Sequence, residues 1–197
     1  MSAQGFALIG GGARSGKSAF ALRLAMLRGA RRVFIATAEA FDDEMRERID
    51  RHIAERGADF TTLEAPRDLD AAVLGLHHRE PEVDVVVIDC ITLWLSNLLL
   101  AATPHAIIER RVQALAEALA LAPFHTLVVT NEVGMGLVPE TPLGRAFRDI
   151  SGRAHQRLAR SASEVYLAAL GTMLRLRPGP VQLVDEERGG SEGAIGS

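Results

Sequence analysis

The chain has little of what would take it out of the ordinary globular class. Cys90 is its one cysteine, which excludes an internal disulfide and any metal centre built on cysteine clusters. A lone thiol fits a reducing compartment. Charge of one sign is also lacking. A formal net charge of -3 over 197 residues carries no bulk basicity for a nucleic-acid partner. Long apolar runs are missing, since stretches such as ITLWLSNLLLAA fall short of the roughly 20 residues that span a bilayer. The N-terminal MSAQGFALIGGG meets glycine too early to read as a signal peptide. With 48% hydrophobic and 24% charged residues, the chain can build a sizeable core. We expect a cytoplasmic, enzyme-sized domain over residues 1–184, with no nucleic acid and no membrane span. The tail DEERGGSEGAIGS (185–197) has no apolar period and is expected to be disordered.

What is present is an alternation of buried strands and helices. GFALIG (5–10), RRVFIAT (31–37), VDVVVIDC (83–90) and HTLVVTNEVG (125–134) are continuous apolar runs, and DFTTLEAP is a further strand candidate. Helical spacing follows in 17–30, 67–78, 92–102, 105–121 and from Pro142 to Ser161. EVYLAALG and TMLRLRPGPVQLV predict a C-terminal hairpin. Continuous rather than alternating strands predict a parallel sheet covered on both faces. The expected fold is therefore α/β, a three-layer sandwich with a mostly parallel central sheet, and GGARSGKS after its first strand makes it like that of P-loop NTPases.

GGARSGKS, Gly11 to Ser18, matches G-x-x-x-x-G-K-[ST] directly after a strand and opening a helix. Each residue type has a reason. The glycines let backbone N–H groups converge on phosphate, and the helix N-terminus adds its dipole. Lys17 can reach the β- and γ-phosphates, and the Ser18 hydroxyl can ligate Mg²⁺. Asp89, ending VDVVVIDC, is the natural acid for the metal or its waters. Asp84 lies at the other end of that strand and reads as structural.

The charged segment DDEMRERIDRHIAERG reads as a helix capped by Asp42 or Asp43 and stopped at Gly57. His52 sits on the edge of its narrow apolar stripe. It reads either as a partly buried structural histidine or as a group aimed at phosphate, flanked at four-residue spacing by Arg48 and Arg56. His77, His78, His105, His125 and His155 read as structural. NEVGMGLVPETP (131–142) leaves a strand end with a polar pair and two glycines, as a connecting loop or a ligand site would. The arginines of the next helix lie opposite Phe147, Ile150, Ala154 and Leu158, which reads as a solvated face. The LWLSNLLL helix is either core or a subunit contact.

Taken together, GGARSGKS, IATAEAFDDEMRERIDRH, IDCITLWLSNLL and VTNEVGMGLVPETPLGRAFRDISGRAHQRLA resemble the bifunctional adenosylcobinamide kinase / adenosylcobinamide-phosphate guanylyltransferase family of cobalamin biosynthesis. The resemblance implies that His52, closing the R-I-x-x-H segment, is the histidine that becomes guanylylated. By the same matching, nucleotide contacts fall on Gly11, Gly12, Ala13, Arg14, Ser15, Gly16, Lys17 and Ser18. Further ones fall on Ala36, Thr37 and Ala38, on Ile53, Ala54, Glu55 and Arg56, and on Glu64 and Asp89. Catalysis falls on His52 and Lys17, and Mg²⁺ on Ser18 and Asp89. Arg51 and Asp89 stand where some relatives carry histidine and glutamate. The resemblance further implies ATP and GTP as substrates, adenosylcobinamide and its phosphate as partners, and a homotrimer. A single-step P-loop small-molecule kinase, with His52 structural, is the alternative reading of the residues.

Overall fold

The computed structural model describes residues 5–39, 57–79 and 82–184. The charged helix expected between Asp42 and Gly57, with His52, and the tail 185–197 lie outside the described residues. In chain order the elements are β1 (Phe6–Gly11), α1 (Lys17–Arg28), β2 (Arg32–Ala36), a 3-10 turn (Gly57–Asp59), β3 (Thr61–Glu64) and α2 (Leu69–Leu76). There follow β4 (Val85–Asp89), α3 (Ile91–Leu100), α4 (His105–Leu121), β5 (His125–Asn131), α5 (Pro142–Ser161), β6 (Glu164–Ala169), β7 (Thr172–Arg177) and β8 (Gln182–Val184).

The strands form one sheet in the order β3-β2-β4-β5-β1-β6-β7-β8. The first six run parallel, and β7 and β8 are antiparallel. The expected α/β class and the C-terminal hairpin are both observed. The hairpin is preceded by a second tight turn at Leu170 and Gly171, both at positive φ, so β6, β7 and β8 make a meander.

The apolar runs follow from burial on both faces. Leu8, Val86, Ile88 and Val128 pack into the cluster built by α2, α3, α4 and α5. Their alternating neighbours Ala7, Ile9, Val85, Val87, Leu127 and Val129 pack with Phe20, Ala21 and Ala25 of α1. In the LWLSNLLL helix Trp94 and Leu95 are 0% exposed and Leu98 2%, so these side chains are core, while Leu100 at its end is 57% exposed. Trp94 Nε1 donates to the Arg67 carbonyl at 2.7 Å, and Arg111, paired with Asp70, lies over its ring.

Two expectations gain a physical reason. Gly29 closes α1, but with extended backbone, so left-handed freedom is not what requires glycine there. A Cβ at Gly29 would meet the Asp84 Cβ at 2.3 Å. Asp84 is structural: its carboxylate accepts from the backbone N–H of Ala30 and Arg31 and from the Arg31 side chain. The Arg31 guanidinium holds that carboxyl well below the usual carboxylate range. On α5, Arg153 pairs with Glu109 of α4 at 2.8 Å while Ile150, Ala154 and Leu158 are buried. The arginine face is therefore partly tied to its neighbour.

The C-terminal ends of β2, β3 and β4 are stitched by side chains. Buried Thr37 takes a hydrogen bond from the Cys90 N–H at 2.7 Å and donates to the Cys90 carbonyl at 2.8 Å. Asn97, 2% exposed on α3, donates to the carbonyls of Thr37 at 2.8 Å and Pro66 at 2.9 Å. Asn97→Ala strands both acceptors, and we expect it to lower the free energy of unfolding by about 2–3 kcal/mol in urea titration. A loss below about 0.5 kcal/mol would place it among ordinary surface changes and remove Asn97 as the stitch.

Candidate active site

The sequence after β1 leaves the sheet as a tight loop and re-enters as α1. Gly11, at φ 158, is pressed from two sides. A Cβ there would lie 2.7 Å from Ser15 Oγ and 2.8 Å from the Ala168 carbonyl. Gly16, at φ 87, is the N-cap of α1 in the left-handed region that glycine enters without strain. Arg14 also has positive φ. This curled backbone is what aims successive N–H groups inward. Lys17 is 7% exposed, and its Nζ donates to the Gly12 carbonyl at 3.0 Å, inside the loop. Ser15 Oγ is buried with no hydrogen-bond partner among the described residues. A buried hydroxyl left so is costly unless a ligand completes it.

Asp89 ends β4, with its side chain on the same sheet face as Val85 and Val87, the face α1 covers. Lys17 and Asp89 both act on the Cys90 thiol. Burial first, then the Asp89 charge, pushes the thiol up to about 11, with Lys17 opposing. Cys90 is thus buried and inert. Ala36 stands in register with both Glu64 and Asp89, and Thr37 and Ala38 follow it.

The predicted residues fall in two places. Gly11 to Ser18 sit at the end of β1. Ala36, Thr37, Ala38 and Glu64 sit at the ends of β2 and β3, with Asp89 between. From β3 to β1 is four strand spacings, roughly 19 Å. Glu64 is exposed beside a cleft of about 560 Å³ that Glu39, Pro66, Arg67 and Asp68 also line. His52, Ile53, Ala54, Glu55 and Arg56 lie outside the described residues.

A family model described as cobinamide kinase / cobinamide phosphate guanyltransferase matches residues 7–176. The chain belongs to this family. It is 40% identical over 183 residues to the bifunctional adenosylcobalamin biosynthesis protein CobU of Salmonella typhimurium, covering 86% of this chain and 98% of the relative. It is 41% identical over 175 residues to CobP of Pseudomonas aeruginosa, covering 88% and 98%. Among solved structures, an ATPase domain aligns at a TM-score of 0.53 and 15% identity, over 93% of this chain and 81% of that one, a likeness of fold alone.

Around the loop the structure of this family member also gathers residues that sequence reasoning did not assign. Asn131 is in register with Gly11, and its amide donates to Thr92 Oγ1 at 3.1 Å. Glu132 N–H donates to the Gly11 carbonyl at 3.0 Å. His155, expected to be structural, has Nε2 2.7 Å from Thr130 Oγ1. The polar pair in NEVG was the available signal. Nothing in the sequence linked it to a histidine in the middle of α5.

The contacts at Gly11 generate a contrast. Gly11→Ala would drive a Cβ into backbone, and we expect it to cost about 1–3 kcal/mol of stability, as overpacking does. Gly12→Ala, with nothing within 4 Å of its Cβ, should stay within about 0.5 kcal/mol. Equal costs in thermal unfolding would refute the packing role of Ala168.

Proposed function

We propose that this chain is a bifunctional transferase of cobalamin biosynthesis that phosphorylates adenosylcobinamide with ATP or GTP. It then transfers GMP from GTP, through a guanylyl-His52 intermediate, to give adenosylcobinamide-GDP. The observation that carries the phosphoryl-transfer half is the curled loop of Gly11 to Ser18, with buried Lys17 inside it and the uncompleted Ser15 hydroxyl beside it. Phosphate oxygens are acceptors suited to such inward-facing donors.

In the kinase half, the acceptor hydroxyl attacks the γ-phosphorus and the nucleoside diphosphate leaves. Lys17 and the loop N–H groups offset the charge on the phosphoryl oxygens. Ser18 and Asp89 are oxygen donors of the kind Mg²⁺ takes. Among the described residues no three His, Cys, Asp or Glu side chains form a metal cage. Mg²⁺ is usually held by one or two protein oxygens plus substrate phosphates. Bound there, Mg²⁺ would neutralise developing charge on the phosphates.

In the guanylyl half, neutral His52 attacks the α-phosphorus of GTP and expels pyrophosphate. The phosphate of adenosylcobinamide phosphate then displaces His52 and takes GMP. The two groups of contact residues suit a nucleotide with its phosphates at β1 and the rest along the sheet edge toward Thr37 and Glu64. Ile53, Ala54, Glu55 and Arg56 belong to this reading through the family resemblance. The buried lone thiol is compatible with the cytoplasm. The expected homotrimer must use surface other than Trp94, Leu95 and Leu98, which the chain buries itself.

Two experiments test the halves separately. GTP labelled at the α-phosphate should leave an acid-labile, base-stable label on the protein that His52→Ala abolishes. An unlabelled but active kinase would point to the single-step alternative, and a label that survives His52→Ala would move the role elsewhere. Lys17→Ala should lower phosphoryl transfer at least about 100-fold. A variant with full kinase turnover would remove Lys17 from the mechanism.

A further inference from the structure

The residue that follows β5 beside the phosphate loop is a glutamate, and none of the roles above uses it. Glu132 follows β5, and its N–H bond to the Gly11 carbonyl at 3.0 Å carries the β1–β5 ladder past the pair Gly11–Asn131. It is therefore anchored to the first residue of the loop. Its carboxylate is hydrogen-bonded on one side and has an imidazole near it on the other. Oε1 accepts from the Gly134 N–H at 2.5 Å, and a Cβ on Gly134 would come 2.8 Å from that same oxygen. Oε2 lies 3.9 Å from Nδ1 of His155, whose Nε2 is 2.7 Å from Thr130 Oγ1. The tautomer that satisfies the chain has Thr130 donating to Nε2 and the Nδ1–H turned to Glu132.

This network is more than a loop brace requires. The turn at Gly134 needs only Oε1. A mid-helix imidazole, 15% exposed beside buried Ala154 and Leu158, adds nothing to the packing of α5 that an apolar side chain would not. Burial lowers the His155 pKa, and Glu132 opposes that effect. The downward shift favours the uncharged ring, which leaves the nearby carboxylate its charge. The Glu132 side chain remains 29% exposed, open to a ligand at the sheet edge where ligands of such folds bind.

We propose that Glu132 orients the acceptor hydroxyl in the kinase step and takes its proton, and that His155 and Thr130 are positioning residues that hold it there. This rests on the kinase half of the function proposed above. The bond from the hydroxyl oxygen to the γ-phosphorus forms, and the bond from that phosphorus to the β,γ-bridging oxygen breaks. The nucleoside diphosphate leaves with the electron pair. The hydroxyl proton passes to a Glu132 oxygen and then to solvent. A carboxylate that receives the substrate hydroxyl proton is an established part of kinase sites.

The test compares the two half-reactions in the full chain. Adenosylcobinamide with ATP or GTP reports phosphoryl transfer, and added adenosylcobinamide phosphate with GTP reports guanylyl transfer. Glu132→Gln should lower kcat for phosphoryl transfer about 100-fold, leave the nucleotide KM within about threefold, and spare guanylyl transfer. Glu132→Asp should recover part of the loss. His155→Ala should lower kcat about tenfold alone but add nothing in the Glu132→Gln background, because it acts through that carboxylate. The proposal is overturned if Glu132→Gln keeps its phosphoryl-transfer kcat, or if both half-reactions and the melting temperature fall together. A wild-type chain that does not phosphorylate adenosylcobinamide overturns the kinase reading itself.

Discussion

The contact between Gly11 and Ala168 is the constraint on which the site depends. β1 is hydrogen-bonded to β5 on one side and β6 on the other. Its last residue is squeezed between the Ala168 carbonyl and the Ser15 hydroxyl, with no room for a Cβ. Only a bare backbone can pass, and it must curl at once to start α1. Lys17, Ser15 and Ser18 take their positions from that curl, and Glu132 takes its own from the Gly11 carbonyl. A core packed at close to crystal density transmits this placement without slack.

The other half of the edge is held by polar rather than apolar contacts. Thr37, Cys90 and Asn97 are buried and engaged in hydrogen bonds. Buried polar groups cost energy unless paired, so such a stitch holds one arrangement and penalises others. It sets Ala36, Thr37 and Ala38 beside Asp89 and leaves Glu64 open to solvent. One end of the sheet thus presents a rigid cationic loop and, across β5 and β4, a rigid backbone shelf.

Much of this was legible in the sequence because it is local. A phosphate loop needs glycine and lysine at fixed spacing, whatever surrounds it. A strand buried on both faces must be apolar throughout, as VVVI in β4 is. Helix α5 ran from Pro142 to Ser161 as its spacing predicted, with Thr141 capping it through the Gly144 N–H at 3.1 Å. Less legible was anything that depends on which residues meet across the fold. Gly29 read as a helix stop, but it answers to Asp84. His155 read as a structural residue in mid-helix, but its partner is 25 residues away on β5.

By itself, then, the sequence determined the class of fold, the phosphate loop, and the candidacy of His52, Lys17 and Asp89. These rest on periodicity, on spacing within one segment, and on resemblance along the chain. The tertiary structure alone decided that Trp94, Leu95 and Leu98 are core, that Asn97 ties the ends of β2 and β3, and that the Glu132 backbone is bonded to Gly11 with His155 near its carboxylate. Such pairings depend on sheet order and register, and a sheet ordered β3-β2-β4-β5-β1-β6-β7-β8 brings together residues that no spacing along the chain connects.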